Sequence, residues 1–195
     1  MEKGRLEAFT DGVMAIVITI MVLEMKVPAG ADLHALQSST PVLLAYALSF
    51  TNVAIFWNNH HHMLQASEHV NGKVLWANMF LLFWLSLVPF DIRWMDETHY
   101  AALPTACYGL ILAMSAIGYV GLQQALIACN GPESTLAGAV GGDLKGKLSL
   151  SIYLAAIPLS FLHVWIAISL YVVVALIWFA PDRRIEKATG ADTKR

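Results

Sequence analysis

Charge is scarce in this sequence. Lysine, arginine, aspartate and glutamate make up 13% of it, about half the share of an ordinary soluble domain. With 57% hydrophobic residues, the chain cannot cover a water-facing surface in the usual way, so a soluble globular class is excluded. Cysteine is nearly absent. Cys107 and Cys129 both fall in or beside one apolar run, where thiols serve as packing groups, so no disulfide and no metal site is inferred. No internal repeat and no low-complexity tract stands out. The first apolar run passes into "EMKVPAG" without a convincing small-residue cleavage site, which argues against a secretory signal.

Long apolar runs are what the chain has. A helix needs about 20 residues to cross a bilayer, and four runs reach that length: Leu6 to Val27, Val42 to Met63, Val74 to Met95 and Leu103 to Cys129. The segment "NGPESTLAGAVGGDLKGK" reads as a loop. Leu148 to Ala180 is too long for one upright helix, about 50 Å against a hydrocarbon core of ~30 Å. Pro158 and the polar break near His163 predict a helical hairpin turning between Ser160 and Trp165. The expected class is therefore all-α, a six-helix transmembrane bundle. Residues 1–181 are expected to form the six-span membrane domain and 182–195 a polar tail.

The basic residues orient it. With six spans, Lys3, Arg5, Lys73, Lys145, Lys147, Arg183, Arg184, Lys187, Lys194 and Arg195 share one side, and only Lys26 and Arg93 lie opposite. The positive-inside rule puts both termini in the cytoplasm of a multi-pass cell-membrane protein. Five spans would send the basic tail outside.

The first span carries the most informative pattern. At about 100° per residue, Gly12, Ile16, Thr19, Ile20 and Leu23 fall on one narrow stripe, while Thr10 and Asp11 fall well off it. The stripe suits ordinary helix packing, with Thr19 bonding its own backbone, or a pore lining built from several copies of the helix. An aspartate inside a span is costly and needs a partner. His60, His61, His62 and Asn78 share Asp11's expected depth, with Trp57 nearby. A network from Asp11 and Thr10 to these groups, with His60 or His61 facing Asp11, would lock the first span to the next two. On that reading Asp11→Ala loses assembly. Consecutive histidines point about 100° apart on a helix, so "HHH" cannot close on one metal.

Arg5-x-x-x-Phe9-Thr10-Asp11 resembles the Arg-x-x-x-Phe-Ser-Asp signature of the endolysosomal potassium channel family, transmembrane protein 175, and its bacterial homologues. "FWNNHHHM", "NMFLLFWLSLVPF" and "WFAPDRRIE" resemble later segments of the same family in the same order. Threonine stands at position 10 where the family has serine, which keeps the hydroxyl. The resemblance implies a potassium-permeable channel, a homotetramer whose first helices line a central pore. It implies an apolar constriction at Ile16, a selectivity hydroxyl at Thr19 and an outer apolar ring at Leu23. Potassium ions, the bilayer and further copies of the chain are the expected partners. No cofactor and no nucleic acid is expected.

This chain has no Thr-Val-Gly-Tyr-Gly filter loop, so selectivity must come from ring diameter, partial dehydration and the hydroxyls. A proton- or metal-ion-coupled transporter using Asp11 and the histidines is the alternative. A membrane enzyme lacks a nucleophile–base pair or a histidine cluster here. A structural scaffold is a further reading. Glu24, near the outer end, reads either as a solvated residue paired with Lys26 or as a cation-attracting group at a pore mouth.

Overall fold

A computed structural model describes residues 2–140 and 144–179; the polar tail, 182–195, lies outside them. Among the described residues there are nine helices and no strand. Helix α1 (Lys3–Leu23) is followed by a short α2 (Leu33–Ser38), which sequence reasoning did not anticipate. Asp32 starts α2 by accepting a hydrogen bond from the Ala35 amide at 2.8 Å. Helix α3 spans Thr40–Gln65.

The third run is not one continuous helix. It divides into α4 (Gly72–Ser86) and α5 (Val88–Glu97) at Leu87. Pro89 is the cause: it has no N–H to give to the carbonyl one turn back. The Leu87 amide instead closes a tighter bond on the Trp84 carbonyl, at 3.2 Å. Taken together, Gly72–Glu97 remains long and apolar enough to cross a membrane, as do α1, α3 and α6 (Ala102–Asn130). Gly131, at φ 93°, ends α6.

The expected loop after α6 is partly helical. It contains α7 (Thr135–Val140), and α8 (Leu144–Leu162) begins inside it. The chain then breaks at His163 and returns as α9 (Val164–Phe179). Trp178 Nε1 donates to Ser149 Oγ at 2.7 Å, which pins the two arms antiparallel. Pro158 sits within α8 and does not turn the chain. The arms have 19 and 16 residues, and neither is among the four helices that meet the length and composition of a full span among the described residues.

Helix α6 is the hub, packed against α4, α5, α8 and α9. A Cβ at Gly118 would lie 3.0 Å from Leu81 Cα, so glycine there lets α4 and α6 touch backbone to backbone. Two apolar clusters fill the bundle. One joins Val17 and Met21 of α1 to Val88, Ile92, Tyr108, Leu112, Tyr153 and Tyr171. The other joins Leu6 and Met14 to Met63, Leu81, Leu85 and Leu122. Among the described residues α1 is thus anchored along one flank, against α3, α4 and α5, and stands at the edge of the bundle.

Candidate functional site

Two faces of α1 do different work. Leu6, Thr10, Met14, Val17 and Met21 are buried. At about 100° per residue they span an arc centred roughly 140° from the stripe of Gly12, Ile16, Thr19, Ile20 and Leu23. All five stripe residues are exposed, Ile16 at 59% and Leu23 at 75%. The other described residues leave this stripe uncovered. Thr19 Oγ1 donates its hydrogen to the Ala15 carbonyl at 2.8 Å. That bond satisfies the hydroxyl inside an apolar helix, and it leaves the oxygen lone pairs free to face outward.

The buried face carries the polar lock. Thr10 and Asn78 are both fully buried, and Asn78 Nδ2 donates to Thr10 Oγ1 at 2.9 Å. Asn78 Oδ1 lies 2.9 Å from His60 Nε2. An amide oxygen only accepts, so His60 donates through Nε2. One asparagine therefore ties α1 to α3 through α4.

Asp11 takes no part in that chain. It is exposed, and its Oδ1 accepts from Trp57 Nε1 at 2.8 Å. The hydrogen bond to Asp11 thus comes from an indole and not from an imidazole, which corrects the expected pairing. His61 stacks on Trp57, with ring centroids 5.8 Å apart and planes 19° apart, and its Nε2 accepts from Gln65. His60 turns toward Asn78, while the rings of His61 and His62 meet edge to face with centroids 5.8 Å apart. Phe9 and Arg5 of the signature both lie on the exposed side.

Sequence reasoning missed several residues. Lys3 Nζ donates to the carbonyls of Leu64 at 3.2 Å and Ser67 at 3.1 Å, binding the start of α1 to the end of α3. At the other end Arg93 bridges two helices: Nη1 is 2.6 Å from Glu24 and Nε is 3.2 Å from Glu97. Lys26 pairs instead with Asp96 at 3.9 Å and Glu97 at 3.8 Å. The expected Glu24–Lys26 pair is therefore replaced by Glu24–Arg93, across 69 positions that no local pattern connects. Ile16, Ile20, Glu24, Phe90 and Arg93 line one open groove between α1 and α5. Beyond the ends of the spanning helices, burial pushes the Tyr100 phenol up to about 12, with Asp96 adding to it.

Residues 5–89 match the family model for the endosomal/lysosomal potassium channel TMEM175. A potassium channel of Chryseobacterium sp. (strain P1-3) is 52% identical over 188 residues, 96% of this chain and 98% of that one. A potassium channel of Chamaesiphon minutus is 31% identical over 191 residues, 92% of this chain and 94% of that one. The human endosomal/lysosomal proton channel TMEM175 is 37% identical over 75 residues, 32% of this chain and 15% of that one. Among solved structures, the crystal structure of a lysosomal potassium-selective channel TMEM175 homolog from Chamaesiphon minutus superposes with a TM-score of 0.77. It is 28% identical and covers 92% of this chain and 97% of that one. The relatives are channels, not enzymes. Matching sequence over nearly the whole length and matching fold together lead to one conclusion: the chain belongs to the TMEM175 family.

Proposed function

We propose that the chain is a potassium-permeable cation channel of the cell membrane. Four copies assemble around an axis with α1 innermost. Ile16 forms the apolar constriction, Leu23 a second apolar ring toward the outside and Thr19 the selectivity ring. Gly12 and Ile20 line the path between them. The hairpin of α8 and α9 completes six crossings, both termini are cytoplasmic, and residues 182–195 are a polar tail on the 1–181 channel domain. Potassium passes down its own gradient, and no cofactor is needed. The partners are the ion, three further copies of the chain and the bilayer; nucleic acid is not among them.

One observation carries this reading: the stripe with a glycine and a hydroxyl in it is the face that the subunit leaves open. A face meant for lipid gains nothing from Gly12 or from a hydroxyl oxygen turned outward. Four such oxygens around an axis can replace part of an ion's water shell. The relatives covering more than nine-tenths of the chain are named potassium channels, whereas relatives named proton channels match 65% of it, in Danio rerio, or 32%, in human.

Purified protein in liposomes tests it. Potassium efflux driven by the potassium gradient alone is the expected result. Flux that appears only with a proton gradient would mark a coupled transporter, and proton flux without potassium flux would mark a proton channel.

The Glu24–Arg93 pair sits at the outer end of this path and gives a finer expectation. Arg93→Gln removes one positive charge per subunit and frees Glu24, while Glu97 keeps Lys26 at 3.8 Å. Potassium conductance should rise in dilute salt. The gain should fade in molar salt, where the Debye length shrinks to about 3 Å. Single-channel conductance against ionic strength reads this directly. Equal conductance at all salt concentrations would place Glu24 away from the mouth.

A further inference from the structure

Asp91 plays no part in the channel reading, yet it is the kind of residue that a membrane protein rarely keeps without use. It lies in the first turn of α5, just past the break at Leu87. It is 1% exposed, and neither carboxyl oxygen has a hydrogen-bond partner among the described residues. No lysine, arginine or histidine among those residues pairs with it, since the ion pairs of α5 involve Arg93, Asp96 and Glu97.

Its surroundings offer little to a negative charge. Helix α6 presents Cys107 and Tyr108, and α9 presents Tyr171. The Tyr108 hydroxyl is engaged with Ser49 at 2.8 Å and Asn52 at 3.3 Å, and Tyr171 donates to the Thr105 carbonyl at 2.9 Å. From α3, Tyr46 packs on the same core. Just past α1, Glu24 and Lys26 are committed to the exposed rim. The titratable group of α4, Lys73, is at that helix's far end. Asp91 lies in the first turn of α5, yet no backbone amide there donates to either carboxyl oxygen. An unpaired carboxylate in such a place costs several kcal/mol. The neutral acid costs less.

We propose that Asp91 is an internal proton-binding site in each subunit, with H⁺ as its ligand. The bound proton lets α5 pack against α6; its release would put an unpaired charge among Val88, Ile92 and Met95. Two residues further along α5, Arg93 holds Glu24 of α1. Proton release at Asp91 therefore loosens the helix that positions the outer end of α1. The site is a property of the folded subunit and stands whether or not potassium is the permeating ion.

Infrared spectroscopy of the assembled protein in lipid, with carboxyl-¹³C-labelled aspartate, tests it on the wild-type chain. A neutral-acid carbonyl band at neutral pH, shifted by the label and lost in Asp91→Asn, is expected. Asp91→Glu serves where the asparagine variant does not assemble, because its acid band no longer responds to labelled aspartate. Only carboxylate bands at neutral pH would overturn the proposal. Thermal unfolding gives a second readout. The native state holds a proton that the unfolded chain has lost, so wild-type stability falls as pH rises. Asp91→Asn should lack that fall, and parallel curves for the two proteins would overturn the assignment.

Discussion

Ile16→Asn is expected to raise potassium conductance about tenfold or more, with assembly unchanged. The reasoning starts from exposure. Ile16 is 59% exposed in the subunit and touches no buried cluster, so replacing it removes little from the fold. Within one copy of the chain such a substitution stays within about 0.5 kcal/mol. In a tetramer with α1 innermost, four isoleucines meet at the axis. An ion passing them sheds water and receives nothing in return, and a narrow apolar ring also tends to empty of water. Four amides supply oxygens at the same place. Lowering that barrier by ~1.4 kcal/mol is a factor of ten in rate. Single-channel recording of the two proteins, matched for tetramer by native gel, measures it. An unchanged current from well-assembled Ile16→Asn would move the constriction to another residue.

Much of α1 was legible because it obeys a single period. Spacing alone separates Ile16, Thr19 and Leu23 from Thr10, and burial divides them the same way. The turn at His163 was legible too, since an apolar run too long for one crossing must fold back, and a polar residue marks where. What the sequence hid is long-range or depends on backbone detail. The break at Leu87 follows from Pro89, yet proline within a span can also be absorbed as a kink, so composition did not decide it. Arg93 reaches Glu24 only because α5 lies against α1. Asp11 and Thr10, adjacent in sequence, diverge by about 100° around the helix. One met an exposed indole and the other a buried amide. Depth along the membrane placed all the candidate partners at one level but could not say which pairs close.

That divergence moves the burden of assembly from Asp11 to Asn78. Asn78→Ala removes the donor to Thr10 and the acceptor from His60 at once, in a place with no access to water. Each buried group left without a partner costs about 1–3 kcal/mol, so the substitution should cost roughly 2–6 kcal/mol. That is a large part of the ~5–15 kcal/mol that holds a typical folded protein together. Hydrogen bonds between helices in bilayers often measure weaker than this, because an unfolded chain in lipid also finds partners. Even the lower figure should leave little tetramer on a native gel and lower the melting temperature by several degrees. Asp11→Asn should do much less, since an amide oxygen still accepts the Trp57 indole at an exposed site.

A double-mutant cycle then separates the bond from the general loss of packing. If Asn78 and Thr10 are partners, removing both costs less than the sum of the single losses, by roughly 0.5–3 kcal/mol. The hydroxyl that Asn78→Ala strands is already gone from Thr10→Ala. Costs that simply add would mean that α1 is held to α4 by its apolar contacts alone, with Thr10 a spectator of the lock.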